Sequence, residues 1–129
     1  MADYRQAIDA NVHYWQSAKK TFSDFQYFPN VTMGWDVTPR LIQSDKFDIF
    51  KGYPWTPVFN GTNTPAAFQS ALEKAKAFVD ADMHSSKIIV INAWNEWTEG
   101  SYLLPDKTNG TAYLDAIRKV FGVRNINSK

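Results

Sequence analysis

Apolar residues recur at spacings of three and four in three separate stretches of the chain. Tyr4, Ala7, Ile8, Val12, Trp15 and Ala18 form the first stripe, and the spacing predicts a helix over residues 3 to 20. In the second, Thr64 offers a capping hydroxyl and Pro65 a preset first turn, ahead of Phe68, Ala71, Leu72, Ala75, Phe78 and Val79. Tyr113, Leu114, Ile117, Val120 and Phe121 make the third, with Gly122 placed as its stop. Between the helices the pattern changes. Residues 29 to 34 set the β-branched pair Val31 and Thr32 between Pro29 and Gly34, which suits a short buried strand. Residues 87 to 92 contain Ile88, Ile89, Val90 and Ile91 in succession, the run expected of a strand buried on both faces of a parallel sheet, with helices covering it.

From Trp35 to Asn63 no period persists, and Pro39, Gly52, Pro54, Pro57 and Gly61 interrupt any long regular element. Loops beyond about 12 to 15 residues are uncommon in compact domains unless they carry function or are disordered. This one holds Trp35, Tyr53, Trp55 and Phe59, aromatics costly to leave in water, so it is expected to pack on the body with a short helix near Ser44 to Phe50. The order of elements alternates helix and strand, which makes the fold class α/β: parallel strands joined by crossover helices. Two strands alone leave open edges, and such edges recruit neighbours. Three arrangements satisfy them: weaker strands within 35 to 63, pairing with other copies, or membership of a larger sheet.

Composition narrows the function classes. With 129 residues the chain has the length of one domain. Apolar types make up 44% and aromatics 16%, and 14 basic against 13 acidic residues leave a net charge of +1. That balance excludes the highly charged composition of disordered chains and gives no basic excess for nucleic acid or an anionic membrane. Cysteine is absent, which removes disulfides, thiolate catalysis and cysteine metal sites. His13 and His84 fit no metal-binding spacing, so neither a metal nor a cofactor is expected. No apolar run approaches the roughly 20 residues needed to span a bilayer. Residues 1 to 10 carry Asp3 and Asp9 and lack an apolar core, so no signal peptide is expected there, and no compartment is assigned.

Candidate chemistry concentrates after the second strand. Asn92, Trp94, Asn95, Glu96, Trp97, Glu99 and Tyr102 fall within eleven residues, beyond a strand's carboxyl end, where parallel α/β folds place their ligand sites. Glu96 and Glu99 converge if the loop makes one helical turn, and paired carboxylates are what glycoside cleavage uses. The indoles of Trp94 and Trp97 offer flat platforms for a sugar face, and the amides of Asn92 and Asn95 can hold hydroxyls. By spacing alone an ordinary reading stands equally well: glutamates on the surface and tryptophans in the core.

The order of the residues adds a resemblance. Ile91 through Gly100, read as I-N-A-W-N-E-W-T-E-G and followed by Tyr102, Leu103, Pro105 and Asp106, resembles the N-E-W-x-E-G segment of the glycoside hydrolase family 99-like proteins. That group includes endo-acting α-mannosidases and mannanases, and proteins encoded with bacterial surface polysaccharide genes. Gly34, Trp35, Asp36, Thr38, Pro39 and Arg40 look like the G-W-D-x-[ST]-P-R motif of the polysaccharide-linked branch, and the similarity extends over roughly residues 28 to 121. The resemblance implies a (β/α)8 barrel and a carbohydrate substrate, α-linked and of mannose type. It implies Glu99 as general acid/base and Glu96 as the base that deprotonates the sugar 2-hydroxyl. The route passes through a 1,2-anhydro sugar with net retention and no metal. By the same match Trp35, Asp36 and Arg40 stand at the mouth of the preceding strand, where Asp36 and Arg40 contact sugar. The competing reading of these two is a salt bridge that closes a turn. Tyr53 and Trp55 are weaker sugar-binding candidates.

A barrel of this type needs about 250 residues, or at least about 200. The chain therefore reads as the C-terminal part of such a barrel, whose partner is either the missing N-terminal half or further copies of itself. Two other readings stay open: a carbohydrate-binding module without catalysis, and a self-associating structural fragment.

Overall fold

The structure, a computed structural model, describes residues 2–40, 58–59, 61–84 and 86–122. The expected helix near Ser44 to Phe50, and Tyr53 and Trp55, lie outside the described residues.

Helix α1 spans Tyr4–Thr21 and starts where the Asp3 carboxylate accepts the backbone N–H groups of Arg5 and Gln6 at 2.8 and 3.1 Å. Its buried side is the expected stripe: Tyr4, Ile8, Trp15 and Ala18 are inaccessible, with Ala7 and Val12 packed alongside. Strand β1 is Asn30–Val31. Helix α2 spans Pro65–Asp80, capped by the Thr64 hydroxyl, which accepts the Ala67 N–H at 3.2 Å. It buries Phe68, Ala71, Leu72 and Ala75. Strand β2 is Val90–Ile91, β3 is Asn95–Glu96 and β4 is Ser101–Tyr102. Helix α3, Ala112–Phe121, packs on α2 through Tyr113 and Ala116, with the Phe68 and Tyr113 rings edge to face at 5.6 Å.

Strands β1 and β2 pair in parallel, Asn30 opposite Val90 and Val31 opposite Ile91, and the crossover between them contains α2. The class is thus mixed α/β, a short parallel pair and three helices. The β2 run differs from expectation on one face. Ile89 and Ile91 pack on the core, whereas Ile88 and Val90 remain 47% and 43% exposed. Side chains alternate across a strand, and the described helices lie against one side of the pair, so the other side of an apolar strand is left open. A second pair, β3 and β4, runs antiparallel as a tight hairpin that periodicity does not reveal, because each strand has only two residues.

Two core tyrosines lend the fold an alkaline limit. Tyr4 donates its hydroxyl to the Thr32 carbonyl, and Tyr113 donates to that of Asn63. Burial raises both phenols, Tyr113 to about 12. A folded-state value above the unfolded one means that the native chain holds more protons at high pH. This stabilisation is complete below the ordinary tyrosine value of 10.0 and is lost as pH climbs through the folded values. Urea midpoints should stay level to about pH 9 and fall between about 10 and 12, and the fall should be shallower in Tyr113→Phe.

Candidate functional site

Two chain segments meet beyond the carboxyl ends of β1 and β2. After β1, the Asp36 Oδ1 accepts the Thr38 N–H at 2.9 Å, which turns the chain into one 3-10 turn, Thr38–Arg40. After β2, the hairpin β3–β4 is closed by another 3-10 turn, Trp97–Glu99, and by Gly100 at φ 57°. In 3-10 geometry positions three apart eclipse, so Glu96 at the head of the turn and Glu99 at its end share a side. The turn that convergence of the two carboxylates requires is thus present, as a 3-10 turn.

Arg40 joins the two segments. Its Nε donates to the Thr98 hydroxyl at 2.6 Å, while Nη2 meets Glu96 Oε2 at 3.0 Å and Nη1 meets Glu99 Oε1 at 3.1 Å. One guanidinium therefore holds both carboxylates, the forked recognition that arginine is shaped for. The Glu96 side chain is 49% exposed and that of Glu99 only 13%. Arg40 pairs with these glutamates rather than with Asp36, and the turn is closed by the Asp36 side chain on the Thr38 backbone.

The backbones behind these side chains touch. The Asp36 N–H donates to the Glu99 carbonyl at 2.6 Å. A Cβ on Gly34 would lie 2.4 Å from the Gly100 carbonyl oxygen, and one on Gly100 would lie 2.9 Å from Asp36 Cβ. Glycine at both positions permits that approach. It opens a cleft of about 180 Å³ lined by Met33, Trp35, Asp36, Phe59, Asn63, Gly100, Tyr102 and Tyr113.

Tyr102 links cleft and hairpin. Its ring stacks on Trp97 at 4.0 Å between centroids and 24° between planes, and its hydroxyl donates to Asp106. Burial raises the Tyr102 phenol, and the Asp106 charge and hydrogen bond add to the effect. For Asp106 burial works upward. The hydrogen bonds from the Asn109 N–H and amide, the Thr108 N–H and Tyr102 outweigh it and hold the carboxyl below its usual range.

Of the residues singled out from sequence, Glu96, Glu99 and Arg40 form one cluster, and Trp35, Asp36 and Tyr102 share the adjoining cleft. Trp94 and Asn95 face solvent on the hairpin. Asn92 spends its amide on Ser101, whose buried hydroxyl contacts the Met33 sulfur at 3.3 Å, so this side chain ties β2 to β4. Thr98, Asn63, Tyr113 and Asp106 were missed. Tyr113 was legible only as part of a helix stripe, and Asn63, a single polar residue before a helix cap, carries no local signal. Among the described residues no group of three or more His, Cys, Asp or Glu is placed to hold a metal, and no helix is long and apolar enough to cross a membrane.

Fold and site together define an α/β protein whose strand ends present a carboxylate pair beside aromatic rings. The chain belongs to the family described as glycosyltransferase WbsX, whose model matches residues 1–117. Relatives called uncharacterized protein WxcX, in two strains of Xanthomonas campestris pv. campestris, are 32% identical over 102 residues. The match covers 78% of this chain and 13% of each relative, so the chain spans a small part of those proteins' length. No solved structure matches.

Proposed function

We propose that this chain carries the paired-glutamate portion of a site that cleaves α-linked, mannose-type glycans with net retention. The observation that carries the reading is the Arg40 fork, which places Glu96 and Glu99 on one side of a turn beyond the strand ends. In the first step Glu96 takes the 2-hydroxyl proton, O2 bonds to the anomeric carbon, and the leaving oxygen departs with a proton from Glu99. In the second, Glu99 takes a proton from water, the water oxygen attacks the anomeric carbon, and the opening 1,2-anhydro ring recovers its proton from Glu96. Glu99 must hold a proton for the first step, so its ion pair with Arg40 opens as substrate enters. A sugar hydroxyl in place of water makes the same sequence a transfer, which accommodates the family's description.

We read the reaction as belonging to a longer chain that completes a (β/α)8 barrel. The open Ile88 and Val90 face and the 13% coverage of the relatives support this. The test is NMR of the first-formed product from an α-mannan digested by a full-length family member. The α-anomer is expected, and initial β-anomer would exclude a retaining route. Binding without cleavage is the second reading, favoured by the occupation of both carboxylates by Arg40.

A further inference from the structure

Asp106 follows the hairpin and does not line the cleft, yet its carboxylate is tightly held. It accepts the Thr108 N–H at 2.7 Å, the Asn109 N–H at 2.5 Å and the Asn109 side-chain amide at 3.1 Å. The turn that brings these donors round is closed by the Gly110 N–H on the Asp106 carbonyl at 2.9 Å. Three local donors fix the carboxylate in one orientation. A fourth, the Tyr102 hydroxyl, comes from outside the turn and ties this fixed point to the hairpin.

Tyr102 carries the connection toward the glutamates. Its ring stacks on Trp97 at 4.0 Å and 24°, and Trp97 opens the 3-10 turn that ends at Glu99 and directly follows Glu96. The strands β3 and β4 have two residues each, and a hairpin of that size is marginal without further packing. The Trp97 side is 44% exposed, so the Tyr102 ring supplies much of what the indole rests on. Arg40 grips the carboxylates themselves and releases Glu99 when substrate enters. The turn then keeps its place through the Asp36 N–H on the Glu99 carbonyl and through the Trp97 stack.

We infer that Asp106 is a positioning residue: through the Tyr102 hydroxyl and the Tyr102–Trp97 stack it sets where the turn holds Glu96 and Glu99. The inference rests on the proposed role of that pair and names what aligns it. A misplacement of about 1 Å can cost 10²-fold in rate. Loss of the anchor therefore acts on the chemical step, while the ring of Tyr102 stays in the cleft wall.

The test compares Asp106→Ala, Asp106→Asn, Tyr102→Phe and the double variant Tyr102→Phe/Asp106→Ala in an intact family member with the same residues at these positions. Asp106→Ala and Tyr102→Phe should each lower kcat by about 10- to 100-fold with KM within about threefold. Asp106→Asn keeps an acceptor for the tyrosine and should recover kcat to within about fivefold of the unaltered protein. The double variant should be no slower than the worse single one, because both remove one bond. If Asp106→Ala fails to fold, Tyr102→Phe removes that bond from its other end and decides alone. The stack is read separately, as the near-ultraviolet circular dichroism lost on Trp97→Phe in each background. That signal should fall by at least about half in Asp106→Ala and Tyr102→Phe and persist in Asp106→Asn. Unchanged kcat in Tyr102→Phe overturns the inference, as does a loss confined to KM or a double variant whose loss is the product of the two single losses. If the unaltered protein cleaves no α-linked glycan, the proposed reaction fails and the stack alone judges Asp106. A signal retained in both Asp106→Ala and Tyr102→Phe then overturns the inference, and one lost in both but kept in Asp106→Asn sustains it.

Discussion

Glu99→Gln in an intact family member should lower glycan turnover by about 10²- to 10⁴-fold, the range spanned by positioned acid–base groups. Glutamine keeps the size of the side chain and its contact with Arg40 but can neither deliver a proton to the leaving oxygen nor take one from water. Glu96→Gln should cost a comparable factor, since O2 would have to attack with its proton unrelieved. The double variant should lose little more than the worse single one, because the two groups serve one sequence of bonds. Stability should hardly move. The Glu96 pair lies at an exposed rim, where a salt bridge contributes about 0 to 1 kcal/mol, and at the more buried Glu99 glutamine still offers Arg40 a hydrogen-bond acceptor. Rates on an α-linked glycan, set beside thermal melts of each variant, decide the matter. Full turnover in both single variants would show that the chemistry lies elsewhere.

Gly34→Ala should destabilise the chain by about 1 to 3 kcal/mol, the usual cost of forcing atoms into a packed site. The new methyl would sit 2.4 Å from the Gly100 carbonyl oxygen and 2.7 Å from Asn63 Nδ2. Backbone must give way. The displaced loops are those joined by the 2.6 Å bond from the Asp36 N–H to the Glu99 carbonyl, so the same substitution should disturb cleft and glutamates together. Urea unfolding at unchanged slope would give the stability loss. In an active family member turnover should fall as well, because a misplacement of about 1 Å can cost 10²-fold. A wild-type midpoint in Gly34→Ala would mean that the two loops do not approach as described.

The three helices were readable from periodicity because each buries one face, and the face is written at a spacing of three and four. Even their starts were legible: Thr64 and Pro65 announce α2, and the carboxylate of Asp3 caps α1. The parallel pairing of β1 with β2 followed from the alternation of elements. The exposure of Ile88 and Val90 did not follow, since a run of aliphatics records that a strand is apolar on both sides but not what covers each side. The hairpin β3–β4 was invisible for a different reason: two residues per strand are too few to show alternation.

The site divides along the same line. Glu96 and Glu99, three residues apart, converge if the loop makes a turn, a condition that spacing alone left open and that the 3-10 turn Trp97–Glu99 meets. The partner that holds them was not legible from spacing. Arg40 lies 56 and 59 positions away, and sequence alone left it between a sugar ligand and a bridge to Asp36. The structure turns it toward the glutamates because the Gly34 and Gly100 contact sets the two loops back to back. The cleft is likewise built from Trp35, Asn63, Tyr102 and Tyr113, residues from four segments that no spacing relates. The sequence by itself determined the helices, which depend on neighbours in the chain, and the parallel order of β1 and β2, which follows from the alternation of elements. Only the tertiary structure decided which charge meets the carboxylates and which side chains line one cavity, because those depend on how closely distant backbones approach.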